Sequence, residues 1–341
     1  MIEENIYYSI KAISNSSLSN INPDQDGSPQ KYKKYIDGDL DQLNSLSLDR
    51  GKLLHKWVED RTSFEVSDIV EPPEMASAWC KEVLRLCHEF QAINFDDIQL
   101  PTEDIIVAAK NNTGAYGNIK VRETIVKKFG EFSEYYDYLK NPSDKITLTK
   151  QTKEVLVNCY GSLYSHKIAK KYLFDEFSEF NKACMIFNEK AIYFDYLDEK
   201  CKALLDKLII DPVNKECYII DLKTTSKSAS KYLSTFIYWR TYRQLAFYTT
   251  AVKSLMLELG FTDIHEYVIK PVIIAVETTG LYNTQVFQIE KDWIEKGKEE
   301  FTALVRRIKF HKKNDIWDLT QEEASDINIL WYDDITFQIN K

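Results

Sequence analysis

The chain has 341 residues, 44% of them hydrophobic, so it can bury a substantial core. Its formal net charge of −9 excludes a protein that coats nucleic acid with a wholly basic surface, although an enzyme could still bind DNA on one local face. No apolar run approaches the ~20 residues of a membrane helix, and the acidic residues near the N-terminus are not typical of a signal peptide. We therefore expect no membrane contact and a location in the cytoplasm, that of a bacterial host if a phage encodes the protein.

The six cysteines are scattered along the chain, and no two of them form a C-x-x-C pair. Paired thiols at that spacing are typical of zinc and iron–sulfur sites. We therefore expect free thiols in a reducing compartment and no cofactor bound by cysteine.

The first 60 residues predict a short strand or turn, a polar segment and then the first helix of the core. ISNSSLS offers several helix-capping residues, and residues 22–48 are polar enough for a surface loop or an irregular helix. The next segment, LDRGKLLHKWVED, carries an apolar helical stripe beside His55. A lone histidine there is more often a packing residue than a ligand. Gly51, one turn earlier, would let another element approach closely, which favours a functional role for His55.

Residues 61–180 show mainly helical patterns separated by loops. EMASAWCKEVLRLCHEF, for example, repeats its apolar residues with a helical period. Because this stretch separates His55 from the strands that follow, we interpret it as a helical insertion in one core. It carries no motif of its own, so a role in docking a partner, such as an annealing protein, has no specific support.

Residues 181–315 change to short β-like runs that alternate with helices. ACMIFNEKAIYFDYL, KCKALLDKLIID and ECYIIDLKTT come first. A long helix over about 232–259, two more strands and a last helix over about 292–310 follow. Strands and helices around one sheet predict an α/β core. Residues 316–341 form an acidic C-terminal tail that ends in an aromatic segment.

Two acids and one lysine interrupt the apolar strands of this core. Asp221 and Lys223 are two residues apart and therefore share a face of their strand, and Asp206 reaches the same edge if its strand pairs alongside. Carboxylates this close repel each other unless a cation lies between them, and Mg²⁺ takes oxygen ligands together with water and substrate phosphate. The pattern favours metal-assisted phosphodiester hydrolysis, with Lys223 as a fixed positive charge. The alternative is a structural ion pair between Lys223 and one of the acids.

Three further polar residues could join this site. Gln244 and Tyr248 lie one helical turn apart on one face of the next helix, where they would support the substrate or the metal-site waters. Otherwise they are an exposed amide and a core tyrosine. Glu189 lies between two β-like runs and is either a third acid near the metal or a glutamate in a hairpin turn.

A basic cluster follows the lysine strand and is interleaved with aromatic residues, which could stack on an unpaired base. The alternative is a solvated helix face, which is the usual role of such charges. The candidate DNA-binding residues are Lys227, Lys231, Arg240 and Arg243.

Together these residues resemble the PD-(D/E)XK nucleases, and specifically the RecB/RecE-like branch that includes exonuclease-VIII-type proteins of phages. The resemblance begins with ISNSSLS and RGKLLH and resumes at Asp206, at Asp221-Leu-Lys223-Thr and at Gln244-x-x-x-Tyr248. It continues through VIIAVE and the closing helix, whereas residues 61–180 match no motif of the family.

The resemblance implies a restriction-endonuclease-like core with a mixed four-stranded sheet flanked by helices. It assigns metal binding to Asp206, Asp221 and the backbone carbonyl of Leu222, with His55 as an accessory ligand. Leu205 stands where the motif that names the family has proline, but no ligand is lost by this departure. The residues that the resemblance assigns to the catalytic site are Asp206, Asp221, Lys223, Gln244 and Tyr248.

The resemblance also implies a Mg²⁺-dependent deoxyribonuclease, with Mn²⁺ as the alternative ion, that acts as an exonuclease on linear double-stranded DNA in phage or mobile-element recombination and repair. The cysteine quartet that binds an iron–sulfur cluster in some relatives is absent from the sequence, so we expect no such cluster. Some relatives form rings around DNA, which leaves a homo-oligomer open. The rival functions are a structure-specific endonuclease or an RNA-directed nuclease on the same core, and a non-catalytic module that binds DNA or a recombination partner.

Overall fold

The structure is a computed structural model. It describes residues 7–39, 46–67, 72–94, 101–140, 146–174 and 183–320. Residues 321–341, which make up most of the predicted C-terminal tail, lie outside the described residues. In the described part of the chain, no helix combines the length and the apolar composition that a membrane span requires.

The chain divides into two compact units. The second unit comprises residues 43–165 and 276–283, and the first unit comprises the rest of the chain. The sequence pattern predicts a helical insertion over residues 61–180. The second unit therefore also takes in the helix that carries His55.

The first unit begins with two short helices, α1 (Asn15–Ser19) and α2 (Pro29–Asp37). The hydroxyl of Ser14 caps α1 by accepting a hydrogen bond from the N–H of Ser17, and the hydroxyl of Ser17 accepts one from the N–H of Ser14. This reciprocal capping box explains why ISNSSLS starts a helix, as its capping residues predict. A β-bridge between Ile13 and Cys201 attaches this segment to the central sheet.

The second unit is mainly helical, with a small parallel sheet of two strands. Its apolar core surrounds Trp79, whose side chain is fully buried and whose indole N–H donates a hydrogen bond to the carbonyl of Ile106 at 3.0 Å. The elements are α3 (Leu46–Glu59), β1 (Phe64–Ser67), α4 (Glu74–Asn94), α5 (Glu103–Thr113), α6 (Arg122–Gly130), α7 (Ser133–Lys140), β2 (Ile146–Thr149) and α8 (Lys150–Ser165).

After α9 (Lys167–Leu173), the first unit continues into a mixed sheet of five strands. The strands lie in sequence order, and the first two pairs are antiparallel. A mixed sheet flanked by helices confirms the predicted α/β fold class, although the resemblance implied four strands. The strands are β3 (Met185–Tyr196), β4 (Glu199–Asp211), β5 (Glu216–Thr225), β6 (Val268–Glu277) and β7 (Thr284–Gln288).

Strand β3 is one strand, not two runs joined by a turn at Glu189. The turn into β4 consists of Leu197 and Asp198, whose φ angles are 52° and 65°. Positive φ at both central residues is the type I′ geometry that matches the twist of a β-hairpin. Pairing with β4 continues on both sides of Glu189, so the hairpin-turn alternative for this residue is wrong.

The predicted long helix after β5 is two helices, α10 (Tyr232–Tyr238) and α11 (Thr241–Glu258). Between them Arg240 has a φ of 54°. This is the left-handed backbone region, which a residue other than glycine adopts only when its surroundings hold it there. Its guanidinium pairs with Asp24 at 2.7 Å and with Glu300 at 3.0 Å. Both partners are distant in the sequence, so local pattern could not reveal the break.

Helix α11 packs in the main core between the sheet and the last helix, α12 (Lys291–Asn314). The two helices approach closely at Gly297, where an added Cβ would lie 2.5 Å from the carbonyl oxygen of Tyr242. Glycine is therefore needed at this crossing. The crossing holds α11, and with it Gln244, against the strands that carry the candidate site.

Candidate active site

Three carboxylates form a row across β3, β4 and β5. Pairing on both sides puts Glu189 of β3 opposite Asp206 of β4. Continuing the β4–β5 register from the pair of Lys207 and Ile220 puts Asp206 opposite Asp221. Carboxylate oxygens of Glu189 and Asp206 lie within 4.8 Å of each other.

The sheet is irregular where the first two of these acids lie. Leu205 and Leu208 are three residues apart, so a regular strand would turn them to opposite faces, yet both belong to the same hydrophobic core. On β3, Glu189 has a φ of 45°. Local irregularities of this kind occur next to active sites, where they redirect a side chain. Asp206 therefore lies at an irregular point of β4.

Asp206 and Asp221 meet at the D-L-K segment of β5. The backbone N–H of Leu222 donates a hydrogen bond to Oδ2 of Asp206 at 2.7 Å. Nζ of Lys223 donates to Oδ1 of Asp221 at 2.9 Å, and the side chain of Asp221 is only 1% exposed. The structure thus brings together the two acids and the lysine that the strand pattern singled out.

Helix α11 supplies two further groups from across the strands. The side-chain amide of Gln244 donates to Oδ1 of Asp221 at 3.3 Å and to the hydroxyl of Tyr248 at 2.8 Å. Burial, together with the negative charges of Asp221 and Asp206, raises the pKa of Tyr248 well above its usual value. The structure therefore places this predicted helical pair beside Asp221, with the phenol protonated.

Lys223 keeps its positive charge in this site. Burial alone would lower the pKa of its ammonium group, but the carboxylates of Asp221 and Asp206 raise that pKa above its usual value. Tyr232, at the start of α10, lies within electrostatic reach of Lys223, and burial raises the pKa of its phenol to about 12. The sequence pattern gave no sign of this tyrosine, because only the turn from β5 into α10 brings it near the lysine.

The donor set fits a hard divalent cation. Carboxylate oxygens of Glu189 and Asp206 lie within 4.8 Å of each other, and the buried Asp221 lies beside Lys223. Carboxylates this close repel each other unless a cation lies between them. Carboxylate oxygens are the ligands that Mg²⁺ and Mn²⁺ prefer. Glu189 is the member of this set that the sequence left undecided, since only the strand register shows which residue it faces.

Two predicted ligands stay predictions. His55 lies on α3 in the second unit, where it is half-buried, and its metal role follows from the resemblance. Leu222 is 2% exposed, and its N–H binds Asp206. A ligand role for its carbonyl likewise follows from the resemblance.

Arg243 does not have the exposure that a DNA contact requires. Its side chain is 0% exposed. The guanidinium donates to Glu300 at 3.1 Å, to the side-chain oxygen of Gln25 at 2.9 Å and to the hydroxyl of Ser19 at 2.9 Å. A charge enclosed in this way cannot reach a phosphate in solvent. The structure therefore contradicts the prediction that Arg243 binds DNA.

The other three candidate DNA contacts differ in their surroundings. Lys227 and Lys231 are exposed at the end of β5 and before α10. Arg240 is 23% exposed and its guanidinium is engaged by two carboxylates. The two lysines remain predicted phosphate contacts, whereas Arg240 has a structural role between α10 and α11.

A comparison with protein families decides the assignment of the chain. The model of a family described as a PDDEXK-like domain of unknown function (DUF3799) matches residues 131–327, more than half of the chain. The chain belongs to this PDDEXK-like family. The predicted PD-(D/E)XK resemblance is thereby confirmed. A search of curated proteins finds no match.

Two solved structures are similar to the chain at low sequence identity. One is a crystal structure of a protein from Eubacterium rectale, provisionally named an exonuclease; it is 10% identical, covers 94% of this chain and 90% of its own, and has a TM-score of 0.46. The other, SSO0001, is 12% identical, covers 74% of this chain and 84% of its own, and has a TM-score of 0.24.

Membership of the family has a chemical consequence. A PDDEXK-like domain supports a nuclease, which would act on DNA. Nucleases of the PD-(D/E)XK group generally depend on a divalent metal ion, and Glu189 of β3 and Asp206 of β4 belong to a possible acidic cluster that suits one.

Proposed function

We propose that the protein is a divalent-metal-dependent deoxyribonuclease that acts as an exonuclease on linear double-stranded DNA. The observation that carries the proposal is the row of Glu189, Asp206 and Asp221 beside Lys223 in a PDDEXK-like sheet. Carboxylate oxygens that lie close together are the ligands that a hard divalent cation prefers, so the cluster favours a bound cation. The preference for ends and for double-stranded DNA is supported by the resemblance to the RecB/RecE-like branch.

The proposed metal ligands are Asp206, Asp221 and the carbonyl of Leu222, joined by Glu189 because of the strand register and by His55 because of the resemblance. A bound Mg²⁺ ion would polarise the scissile phosphate and lower the pKa of the attacking water. Mn²⁺ shares the preference for oxygen ligands and is the alternative ion. No iron–sulfur cluster is part of the proposal.

The protein groups around the acids have separate tasks. The ammonium of Lys223, held 2.9 Å from Oδ1 of Asp221, would stabilise the negative charge that develops on the phosphate. Gln244 donates to the same carboxylate oxygen and would fix its orientation. Tyr248 accepts a hydrogen bond from Gln244, so it would act through that amide as a positioning residue.

The proposed biological setting is recombination or repair of phage or mobile-element DNA in the cytoplasm. This setting is supported by the resemblance, since exonuclease-VIII-type proteins belong to the branch that the motifs match. An annealing protein as a partner and a homo-oligomeric state are further predictions of the same kind.

The test compares wild type with Lys223→Ala on end-labelled linear duplex, closed-circular DNA and single-stranded RNA, with Mg²⁺, with Mn²⁺ and with a chelator. We expect metal-dependent release of nucleotides from the linear duplex. Lys223→Ala should be slower by about 10²–10³-fold, the effect of removing one preorganised group that stabilises developing negative charge. Lys291→Ala is the matched control, because Lys291 is 85% exposed and pairs with Glu295 on the surface of α12.

Each rival function gives a different result. Equal cleavage of closed circles would indicate an endonuclease, and preferential loss of RNA would indicate an RNA-directed enzyme. If wild type cleaves nothing with either metal while Lys223→Ala unfolds more easily, the acids and the lysine are a structural cluster and the proposal fails.

A further inference from the structure

Helix α10 and Trp239, the residue directly after it, expose large apolar and aromatic side chains to solvent. Leu233 is 60%, Ile237 45%, Tyr238 71% and Trp239 63% exposed. We call these four residues the α10 surface. Single exposed apolar residues are common, but a contiguous group of them marks a binding site. The opposite side of the helix packs in the core, where Phe236 is buried, so α10 is well placed to present this surface.

The far end of the α10 surface is fixed in place. Arg240, directly after Trp239, has a φ of 54° and is paired with Asp24 and Glu300. The rings of Tyr238 and Trp239 meet edge to face, with centroids 4.9 Å apart. Aromatic side chains that are already ordered lose little entropy when a partner binds.

The same helix starts at the candidate active site. Tyr232, its first residue, lies within electrostatic reach of Lys223 and Asp221. The helix has seven residues, which at ~1.5 Å per residue span roughly 10 Å. That length equals about three nucleotides of a strand that keeps the 3.4 Å spacing of duplex DNA. A strand with a phosphate at Lys223 would therefore bring bases a few nucleotides away to Trp239.

The chain segment around α10 carries only positive charges, which suits a nucleic acid, and the nearby acids Asp24 and Glu300 are paired with Arg240. Between Asp221 and Glu258 the sequence contains no acidic residue, in a chain that has 53 of them. Lys227 and Lys231, just before α10, are exposed. Lysines that follow the phosphates beside aromatic rings that stack on bases are the combination by which proteins bind single strands.

We propose that the α10 surface binds unpaired DNA bases next to the cleavage site. Trp239 and Tyr238 are the stacking platforms, and Lys227 and Lys231 contact the phosphates of the same strand. The inference rests on the proposed function and deepens it, because it states that the strand enters as an overhang or a frayed end. Stacking uses the face of a base and makes no hydrogen bond to its edges, so binding should depend little on the DNA sequence.

The test measures binding without cleavage, by anisotropy of labelled short single strands in the presence of a chelator. Trp239→Ala should weaken binding of oligothymidylate by about 10-fold, within the range for loss of one stacked base. Trp239→Phe, which keeps a ring, should bind nearly as wild type does, whereas Trp239→Leu should resemble Trp239→Ala. Leu257→Ala is the control, because Leu257 is also exposed, at 61%, but lies near the end of α11.

An abasic oligomer with the same phosphates separates stacking from charge. It should bind wild type and Trp239→Ala equally, and more weakly than oligothymidylate binds wild type. Equal binding of both oligomers by wild type, or full binding by Trp239→Leu, would overturn the proposal. So would a shift from dimer to monomer in Trp239→Ala by light scattering, since the surface would then join two copies of the chain.

Failure of this inference differs from failure of the proposed nuclease. If Trp239→Ala loses single-strand binding but wild type never cleaves DNA, the binding surface stands and the nuclease proposal falls. If wild type cleaves with metal, and Trp239→Ala cleaves blunt duplex and duplex with a single-stranded overhang as well as wild type does, the nuclease stands and the α10 surface has another role.

Discussion

Two groups of charged side chains lie inside the first unit, and they are built in opposite ways. The first is the arginine cluster, which consists of Arg240 and Arg243 with Asp24 and Glu300. Two guanidinium groups meet two carboxylates, and Tyr242 adds its hydroxyl by donating a hydrogen bond to Glu300 at 2.8 Å. The cluster balances its own charge and joins the N-terminal segment to α11 and α12.

The second group is the acid row, which consists of Glu189, Asp206 and Asp221 with Lys223. Here carboxylates lie next to one another across the strands, and the row ends beside Lys223, whose side chain is 29% exposed. Neighbouring carboxylates repel each other unless a cation lies between them. In the arginine cluster each carboxylate meets a guanidinium, whereas in the acid row carboxylates meet one another, and the second arrangement is the one that suits a metal ion.

The largest effect is expected when the balance of the arginine cluster is broken. Arg243→Met should reduce the free energy of unfolding by about 3–5 kcal/mol, because it removes the buried guanidinium that Glu300, Gln25 and Ser19 share and leaves Glu300 with the partly exposed Arg240. Denaturant unfolding measures this, with exposed Arg306→Met as the control that should change stability by no more than about 0.5 kcal/mol. If Arg243→Met is as stable as wild type, the contrast between the two groups does not hold.

The acid row should respond to a cation, and the arginine cluster should not. Mg²⁺ or Mn²⁺ at a hundred times its dissociation constant should stabilise wild type by about 2.7 kcal/mol. Asp206→Asn and Glu189→Gln should lose this gain, and without metal they should be at least as stable as wild type because a repulsion is removed. Asp195→Asn, an exposed acid on the same β3 strand, should keep the gain.

Melting curves with and without metal check this prediction in each variant. If metal stabilises Asp206→Asn as much as wild type, the acid row does not hold the ion. If Glu189→Gln alone keeps the full gain, Glu189 is not a ligand and the row shortens to two acids.

A smaller effect is expected where α12 approaches the arginine cluster. The Cβ of Gly297→Ala would lie 2.9 Å from Cα of Arg243 and 2.5 Å from the carbonyl oxygen of Tyr242. These backbone atoms cannot move aside as the end of a flexible side chain can. We therefore expect the free energy of unfolding to fall by about 1–3 kcal/mol. Gly161→Ala is the control, because nothing lies within 4 Å of its added Cβ. Its helix should gain up to about 1 kcal/mol.

The smallest effect concerns a buried lysine outside both groups. Nζ of Lys202 donates to the carbonyls of Tyr7 and Ile10, each at 2.7 Å, and burial lowers its pKa from the usual 10.5. The unfolded chain therefore binds more protons as pH approaches 10.5, and stability rises with pH in that window. Unfolding curves should show that the free energy of unfolding of wild type increases relative to that of Lys202→Met as pH rises from 8 to 10.5. If the difference between the two does not change with pH, the lowered pKa of Lys202 is contradicted.

Several parts of the fold and site followed from the sequence because their patterns are local. The spacing of Asp221 and Lys223 placed both on one face of β5, and the helical spacing of Gln244 and Tyr248 placed that pair together. Capping residues marked the start of α1. Each of these inferences needs only the periodicity of one element.

Other parts depend on partners that are distant in the sequence. Arg243 and the two lysines before α10 look alike as a basic run, yet Arg243 is enclosed by residues of α1, α12 and the loop between α1 and α2. The break at Arg240 depends on Asp24 and Glu300. No local propensity carries this information, because it arises only when these segments meet.

The sequence by itself determined the family, the α/β class and the acids and lysine of β4 and β5, since these follow from motif and strand period. Only the tertiary structure decided that Glu189 faces Asp206, that Arg243 is structural and that α10 turns Trp239 to solvent. The physical reason is that register and burial are set by which elements pack together, whereas a motif is set by the order of residues along one element.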